Sequence, residues 1–166
     1  MSPDAVVGRW IRISLGTQLL ELLDGDVVLS TYPVSTAANG GGERVGSGKT
    51  PRGLHEVREL IGHGMPSGAV FMGRKWTGEV CTLELQAGSP ERDWMLSRLI
   101  WLAGLEVGKN CGGDVDTFAR YIYIHGTPDS EPVGEPRSHG CIRMRNADVI
   151  ALFDRVDTGM LVRIDE

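Results

Sequence analysis

The chain has 166 residues, with 17 Lys and Arg against 22 Asp and Glu for a net charge of −5, and 41% of its residues are hydrophobic. That size and balance fit one globular domain over residues 1–166 and exclude a disordered or fibrous protein. The basic residues are scattered, which argues against nucleic acid as a partner, and no apolar run approaches the roughly 18 residues of a membrane span.

The opening Met1-Ser2-Pro3-Asp4 leads to Trp10-Ile11-Arg12 without the charged, apolar and small-residue regions of an export signal, which points to the cytoplasm, or to the periplasm where a leader has been removed. Cys81, Cys111 and Cys141 are odd in number and widely spaced, unlike a disulfide framework, and leave at least one thiol free for chemistry.

In chain order, residues 10–15 alternate apolar and polar, Gly16-Thr17 turns, residues 18–23 resume the pattern, and Asp24-Gly25-Asp26 signals a hairpin before Val27-Val28-Leu29. A β-meander follows from this spacing. The glycine-rich stretch from Asn39 to Gly53 reads as a loop. Within it Gly46-Ser47-Gly48-Lys49-Thr50 imitates a phosphate loop, but Glu43 stands where a glycine is needed and Pro51 interrupts the required helix. No nucleotide cofactor is expected. Residues 54–57 and 69–72 read as further strands, with His55 on a strand surface and His63 in a loop.

Residues 79–85 alternate over a full strand length, which puts Cys81 in the core. Ser89-Pro90-Glu91 has the form of a helix start, predicting a helix to about Gly104 with Trp94, Leu96, Leu99, Ile100 and Leu102 on its apolar side. Residues 108–117 form a polar loop holding Cys111, and Arg120-Tyr121-Ile122-Tyr123-Ile124 is a strand that delivers His125. Asn146 is placed to cap a helix from Ala147 to about Val156, and residues 160–164 close the domain as a strand. About eight strands and two helices without βαβ alternation predict a mainly β fold, a β-sandwich or open barrel. Trp10, Trp76, Trp94 and Trp101 are dispersed and suit core or groove walls.

Between the last strands lies Ser138-His139-Gly140-Cys141-Ile142-Arg143-Met144. A thiol attacks as its thiolate, and an imidazole or helix N-terminus nearby favours that form. His125, on a strand, is positioned to take the thiol proton and return it to a leaving amine. The Gly126 carbonyl is an acceptor for the second ring nitrogen of His125. His139 could polarise an acyl oxygen, Gly140 lets a substrate carbonyl approach backbone N–H groups serving as an oxyanion hole, and Ser138 could fix the turn. Arg143, two residues past the thiol, suits a substrate carboxylate. Zinc on Cys111, His125, His139 and Cys141 is disfavoured because no C-x-x-C or H-x-x-x-H pair is present. No metal is expected.

His125-Gly126 followed by Ser138-His139-Gly140-Cys141-Ile142-Arg143-Met144 resembles the signature of the YkuD-type L,D-transpeptidases, and Thr50-Pro51-Arg52-Gly53 resembles that family's upstream Thr-Pro-x-Gly turn. The resemblance implies Cys141 as nucleophile, His125 as general base and acid, and His139 with Gly140 as turn and oxyanion support. It also implies a β-sandwich catalytic domain, no metal or cofactor, a peptidoglycan stem tetrapeptide as acyl donor, and covalent inhibition by carbapenems.

On this reading a Cys141 thioester forms as D-Ala leaves the diamino acid, and water or an amine resolves it. The missing export signal favours water, hence an L,D-carboxypeptidase of muropeptide recycling. An L,D-transpeptidase making 3-3 crosslinks is the alternative. An idle muropeptide-binding domain and a zinc-stabilised module are the readings from other classes. The loop Thr127 to Arg137 is expected to shape the acceptor side.

Overall fold

A computed structural model describes residues 6–166, and ten strands of those residues join in one curled, mainly β sheet with two helices. The meander forms as its alternation requires. β1 (Arg9–Ser14) pairs antiparallel with β2 (Leu19–Asp24), which pairs with β3 (Val27–Pro33). Ile11 faces Leu22 and Ile13 faces Leu20 across the first pair, and all four are fully buried.

The last strand, β10 (Leu161–Asp165), lies parallel to β1 and antiparallel to β4 (Gly53–Ile61), so the chain's end joins the meander to the rest. β7 (Met95–Gly104) is the hub, pairing with β4, with β8 (Tyr123–Thr127) and with β5 (Ala69–Met72), whose partner is β6 (Lys75–Val80). β9 (Ile142–Arg145) runs parallel to β8. The curl encloses a core of Ile11, Leu20, Ile100, Ile124, Ile142 and Met144, into which α2 (Asn146–Phe153) inserts Val149, Leu152 and Phe153.

Several sequence expectations change here. Residues 89–104 do not form a helix: Met95–Gly104 is a strand whose inner eight residues are all buried. A strand with neighbours on both edges and cover on both faces loses its alternation and reads as a continuous apolar run. Residues 79–85 do not form one strand either, because β6 ends at Val80 and α1 (Leu83–Gly88) begins. Thr82 caps that helix, its Oγ1 accepting from the Leu85 amide at 3.1 Å, and this overrides the local alternation. Cys81, expected in the core, is therefore half-buried at a strand end.

Asn146 is the first residue of α2 rather than its cap, which is Arg145. Its side chain turns inward: Oδ1 accepts from Ser97 Oγ at 2.6 Å, and Nδ2 donates to Thr127 O at 2.9 Å and Asp129 Oδ1 at 3.1 Å. Ser97 sits where the β7 register shifts against β8, with φ of +70°. One buried amide thus ties the irregularity in β7 to the end of β8 and the start of α2. Of the tryptophans, Trp10, Trp94 and Trp101 are buried as expected, while Trp76 on β6 is exposed. No helix among the described residues is long and apolar enough to cross a membrane.

His55, expected on a strand surface, is fully buried in β4, with Nδ1 at 3.1 Å from Gly53 O and Nε2 at 2.9 Å from Thr117 Oγ1. Burial penalises the charged ring and lowers its pKa from 6.5 to about 4. The folded state therefore binds this proton less readily than the unfolded state. The stabilisation is present above the unfolded value and is lost as pH falls through the folded one. Stability should drop by up to about 3 kcal/mol from this group as pH falls through that window. Urea unfolding of wild type and His55→Gln from neutral pH to about 4 checks it: the variant should show the shallower loss.

Candidate active site

The parallel β8–β9 pair places Ile124 opposite Ile142 and His125 opposite Arg143. Cys141, immediately before β9, therefore lies beside Tyr123, whose amide donates to Cys141 Sγ at 3.4 Å. The thiol in turn donates to the Tyr121 carbonyl at 3.4 Å. The strand expected from Arg120 begins only at Tyr123, because Tyr121 adopts φ of +57° and turns its carbonyl toward the sulfur. A non-glycine residue in that region carries strain, which concentrates at functional sites.

His125 is fully buried, and its Nδ1 is 2.7 Å from the Gly126 carbonyl. A carbonyl only accepts, so Nδ1 carries the proton and Nε2 presents its lone pair. Nε2, although buried, has no hydrogen-bond partner among the described residues. Burial lowers the His125 pKa, against the opposite pull of the Gly126 bond, and desolvation raises the Cys141 thiol to about 12. The resting pair is a thiol and a neutral imidazole. Both line one cavity of about 210 Å³, together with Arg120, Tyr121, His139 and Arg143.

The turn before Cys141 is locked from two directions. Ser138 Oγ donates to the Cys141 carbonyl at 2.5 Å and accepts from the Gly140 amide at 3.2 Å. Thr50 Oγ1 donates to the Gly140 carbonyl at 2.9 Å and accepts from the Ala37 amide at 2.9 Å. Gly140 has φ of +137°, and a Cβ there would meet Ile122 Cδ1 at 3.2 Å and Lys49 O at 3.3 Å. Its amide is committed to Ser138, so the amide that reaches the sulfur is that of Tyr123. Gly126 is glycine because a Cβ would collide with Asn146 Oδ1 and sit 2.6 Å from Leu96 O.

His139 is exposed at the cavity mouth. Arg143 is mostly covered and makes one ion pair among the described residues, Nη2 to Asp93 Oδ1 at 3.3 Å. The site thus gathers Ser138, His139, Gly140, Cys141, Arg143, His125 and Gly126. Cys111 lies apart, in the loop before the 3₁₀ turn Gly113–Val115, and bridges to Val107. No group of three or more His, Cys, Asp or Glu among the described residues could hold a metal.

Asp93 carries no motif, and Arg120 and Tyr121 were legible only as part of the strand leading to His125, not as residues that line the cavity. Arg120 donates to Lys49 O at 2.7 Å and Glu43 O at 3.0 Å, bracing the glycine-rich loop against the cavity wall. Its burial lowers the guanidinium's pKa.

A thiol and an orphan imidazole nitrogen in one cavity, on a curled mainly β scaffold, form a Cys/His pair of the kind that supports nucleophilic chemistry. Residues 8–164 match the family described as the L,D-transpeptidase catalytic domain, YkuD, and the chain belongs to that family. It is 46% identical over 48 residues to the probable L,D-transpeptidase YbiS of Escherichia coli K12, a match spanning 28% of this chain and 16% of that protein. L,D-transpeptidase 3 of Mycobacterium tuberculosis, solved with a faropenem-derived adduct, shares the fold at TM-score 0.58 and 17% identity over 96% of this chain and 60% of that one. LdtMt1, solved with imipenem, does so at TM-score 0.56 and 19% identity over 95% and 58%. This chain spans only part of the length of these relatives.

Two outcomes check the geometry. Thr50→Val, which keeps the shape but leaves the Gly140 carbonyl and Ala37 amide unpaired, should cost about 3 kcal/mol and speed alkylation of Cys141 as the turn loosens. Thermal unfolding and peptide mass mapping read both. Iodoacetamide labelling of Cys141 should keep rising with pH beyond the point where an ordinary thiol, pKa about 8.5, levels off; an early plateau contradicts the neutral resting pair.

Proposed function

We propose that this protein is a cysteine acyl-transfer enzyme cleaving the diamino acid–D-Ala bond of peptidoglycan stem tetrapeptides, with water as the main acceptor, an L,D-carboxypeptidase. The observation that carries the thioester step is His125 Nε2, buried and unpartnered in the cavity that holds the Cys141 thiol. Membership of the L,D-transpeptidase family supports a peptidoglycan stem as the substrate.

In this reading Nε2 accepts the thiol proton while Sγ forms a bond to the carbonyl carbon of the diamino acid. The Tyr123 amide and its backbone neighbours meet the developing negative charge, and the Gly126 carbonyl supports the imidazolium through Nδ1–H. Collapse breaks the C–N bond, the imidazolium proton goes to the D-Ala amine, and a thioester remains. Water then gives a proton to Nε2 as its oxygen bonds to the thioester carbon; collapse breaks the C–S bond, the imidazolium proton returns to sulfur, and the tripeptide leaves as its carboxylic acid. His139 at the mouth contacts the acyl group or the acceptor, and Arg143 holds a substrate carboxylate.

Water is the acceptor that needs no second peptide site beside the catalytic cavity of about 210 Å³. An amine acceptor would instead make the enzyme a transpeptidase. Incubation with disaccharide-tetrapeptide should yield tripeptide and D-Ala by mass spectrometry; dimers as the main product would overturn the choice of water. Cys141→Ala should lose all turnover. Because the two solved relatives carry imipenem and a faropenem-derived adduct, a carbapenem should add its mass to wild type and not to Cys141→Ala.

A further inference from the structure

Two cavities meet at one wall. The catalytic cavity and its neighbour of about 190 Å³ share Asp93, His139 and Arg143, and the Arg143–Asp93 pair stands in that wall. The other arginines of the second cavity are engaged elsewhere. Arg92 pairs with Glu79 at 3.2 Å and lies over the Trp94 ring, and Arg137 pairs with Glu135 at 3.0 Å. Among the described residues, the shared pair is therefore the one pairing of opposite charges that lines both the catalytic cavity and its neighbour.

The pair is held by one contact and is partly open. Contact is through one guanidinium nitrogen and one carboxylate oxygen, not the bidentate fork that planar geometry favours. The Asp93 side chain is 42% exposed and that of Arg143 15%, so one face of the pair is open. Arg143 is anchored on β9, while Asp93 belongs to the segment between α1 and β7, so the two charges come from separate pieces of chain.

The geometry points to a receptor for an α-amino-acid zwitterion: Arg143 takes the carboxylate and Asp93 the ammonium of the free D-centre of a diaminopimelate side chain, selecting diaminopimelate stems over lysine stems. This rests on the stem-peptide reading above. A zwitterion exchanges with the pair charge for charge, leaving neither ion alone. A lysine side chain brings only an ammonium, which satisfies Asp93 and strips the mostly covered Arg143 of its partner.

Reach agrees with this assignment. Two residues of extended chain separate Cys141 from Arg143, an advance of about 6.6 Å on one face. From the scissile carbonyl to the D-centre of diaminopimelate is a zigzag of five carbon–carbon bonds, a comparable span. A stem acylated on Cys141 can thus lay its side chain along β9 and end on the pair.

Two measurements test the assignment. In wild type, kcat/KM for the L-Ala-γ-D-Glu-diaminopimelate-D-Ala tetrapeptide should exceed that for its lysine counterpart on the order of 30-fold, the scale of removing one charge-assisted hydrogen bond. Asp93→Asn and Arg143→Ala should each shrink that ratio to near unity, mainly through KM. Amidation of the D-centre carboxylate should mimic Arg143→Ala on wild type. Equal turnover of both stems by wild type, or variants that slow both stems equally, would overturn it.

Binding of the two tripeptides to Cys141→Ala, followed calorimetrically, needs no turnover. Tighter binding of the diaminopimelate tripeptide that Asp93→Asn abolishes supports the receptor even where no stem is cleaved, a result that would sink the catalytic reading alone. Equal affinities would overturn the receptor whatever the kinetics show.

Discussion

The parallel pairing of β8 with β9 is the constraint on which the site depends. Parallel neighbours require a long crossover, and here residues 128–141 make it as a loop instead of a helix. The loop returns the chain so that Cys141 arrives beside Tyr123, two residues upstream of His125 along β8. Register then does the rest, because a slip of one residue would send His125 and Arg143 to the opposite face. That register is held by buried Ile124 and Ile142, which face each other in the core, and by Asn146 bonding the end of β8. Apolar packing below the sheet thus fixes the positions of polar groups above it.

The same burial sets the electrostatic state. Desolvation acts against both charged partners at once, raising the thiol and lowering the imidazole, so the uncharged pair is the resting form. The thiol waits on the Tyr121 carbonyl and Nε2 waits without a partner. The ion pair is formed when a carbonyl is present to be attacked, and the Tyr123 amide already directed at sulfur is one of the few groups that oppose desolvation there. Arg143 and Arg120 favour the thiolate while Asp93 opposes it, so the charges around the mouth bear on the nucleophile as well as on what enters.

What the sequence disclosed was the part whose chemistry is local. Gly140 next to Cys141 anticipates a backbone that only glycine adopts, and His125-Gly126 anticipates a ring nitrogen bonded to the adjacent carbonyl. The closing strand was legible because its burial alternates, and the meander because Ile11 and Ile13, then Leu20 and Leu22, recur every second residue and Asp24-Gly25-Asp26 marks the turn into β3. β7 was misread because its exposure pattern is uniform; burial on both faces erases the period that separates strand from helix. Thr82 deceived in the other direction, since one side-chain cap outweighed seven residues of alternation. Asn146 has the right residue type for a cap, but its amide is worth more to the buried network around Ser97 than to the helix end. Asp93 could not be found at all, because its importance comes from a contact with Arg143, fifty positions away, that only the folded chain creates.

Asp93 also shows how the peripheral elements are coupled to the site. The β5–β6 hairpin and α1 hang from the sheet through the short pairing of β5 with the start of β7, Val70 to Leu96 and Phe71 to Met95. Beyond that seam, α1 touches the crossover loop through Ser130 Oγ to Gln86 Oε1 at 2.9 Å, and the segment after α1 touches β9 through Asp93. These are exposed polar contacts, individually worth little against the packing of the core. A ligand that takes Arg143 from Asp93 therefore breaks one exposed polar contact, while Trp94, the next residue, keeps the segment packed against Val70 and Leu96. Selectivity at such a site comes from matching the charges it exposes, while the thiol and imidazole beneath stay fixed by the buried sheet.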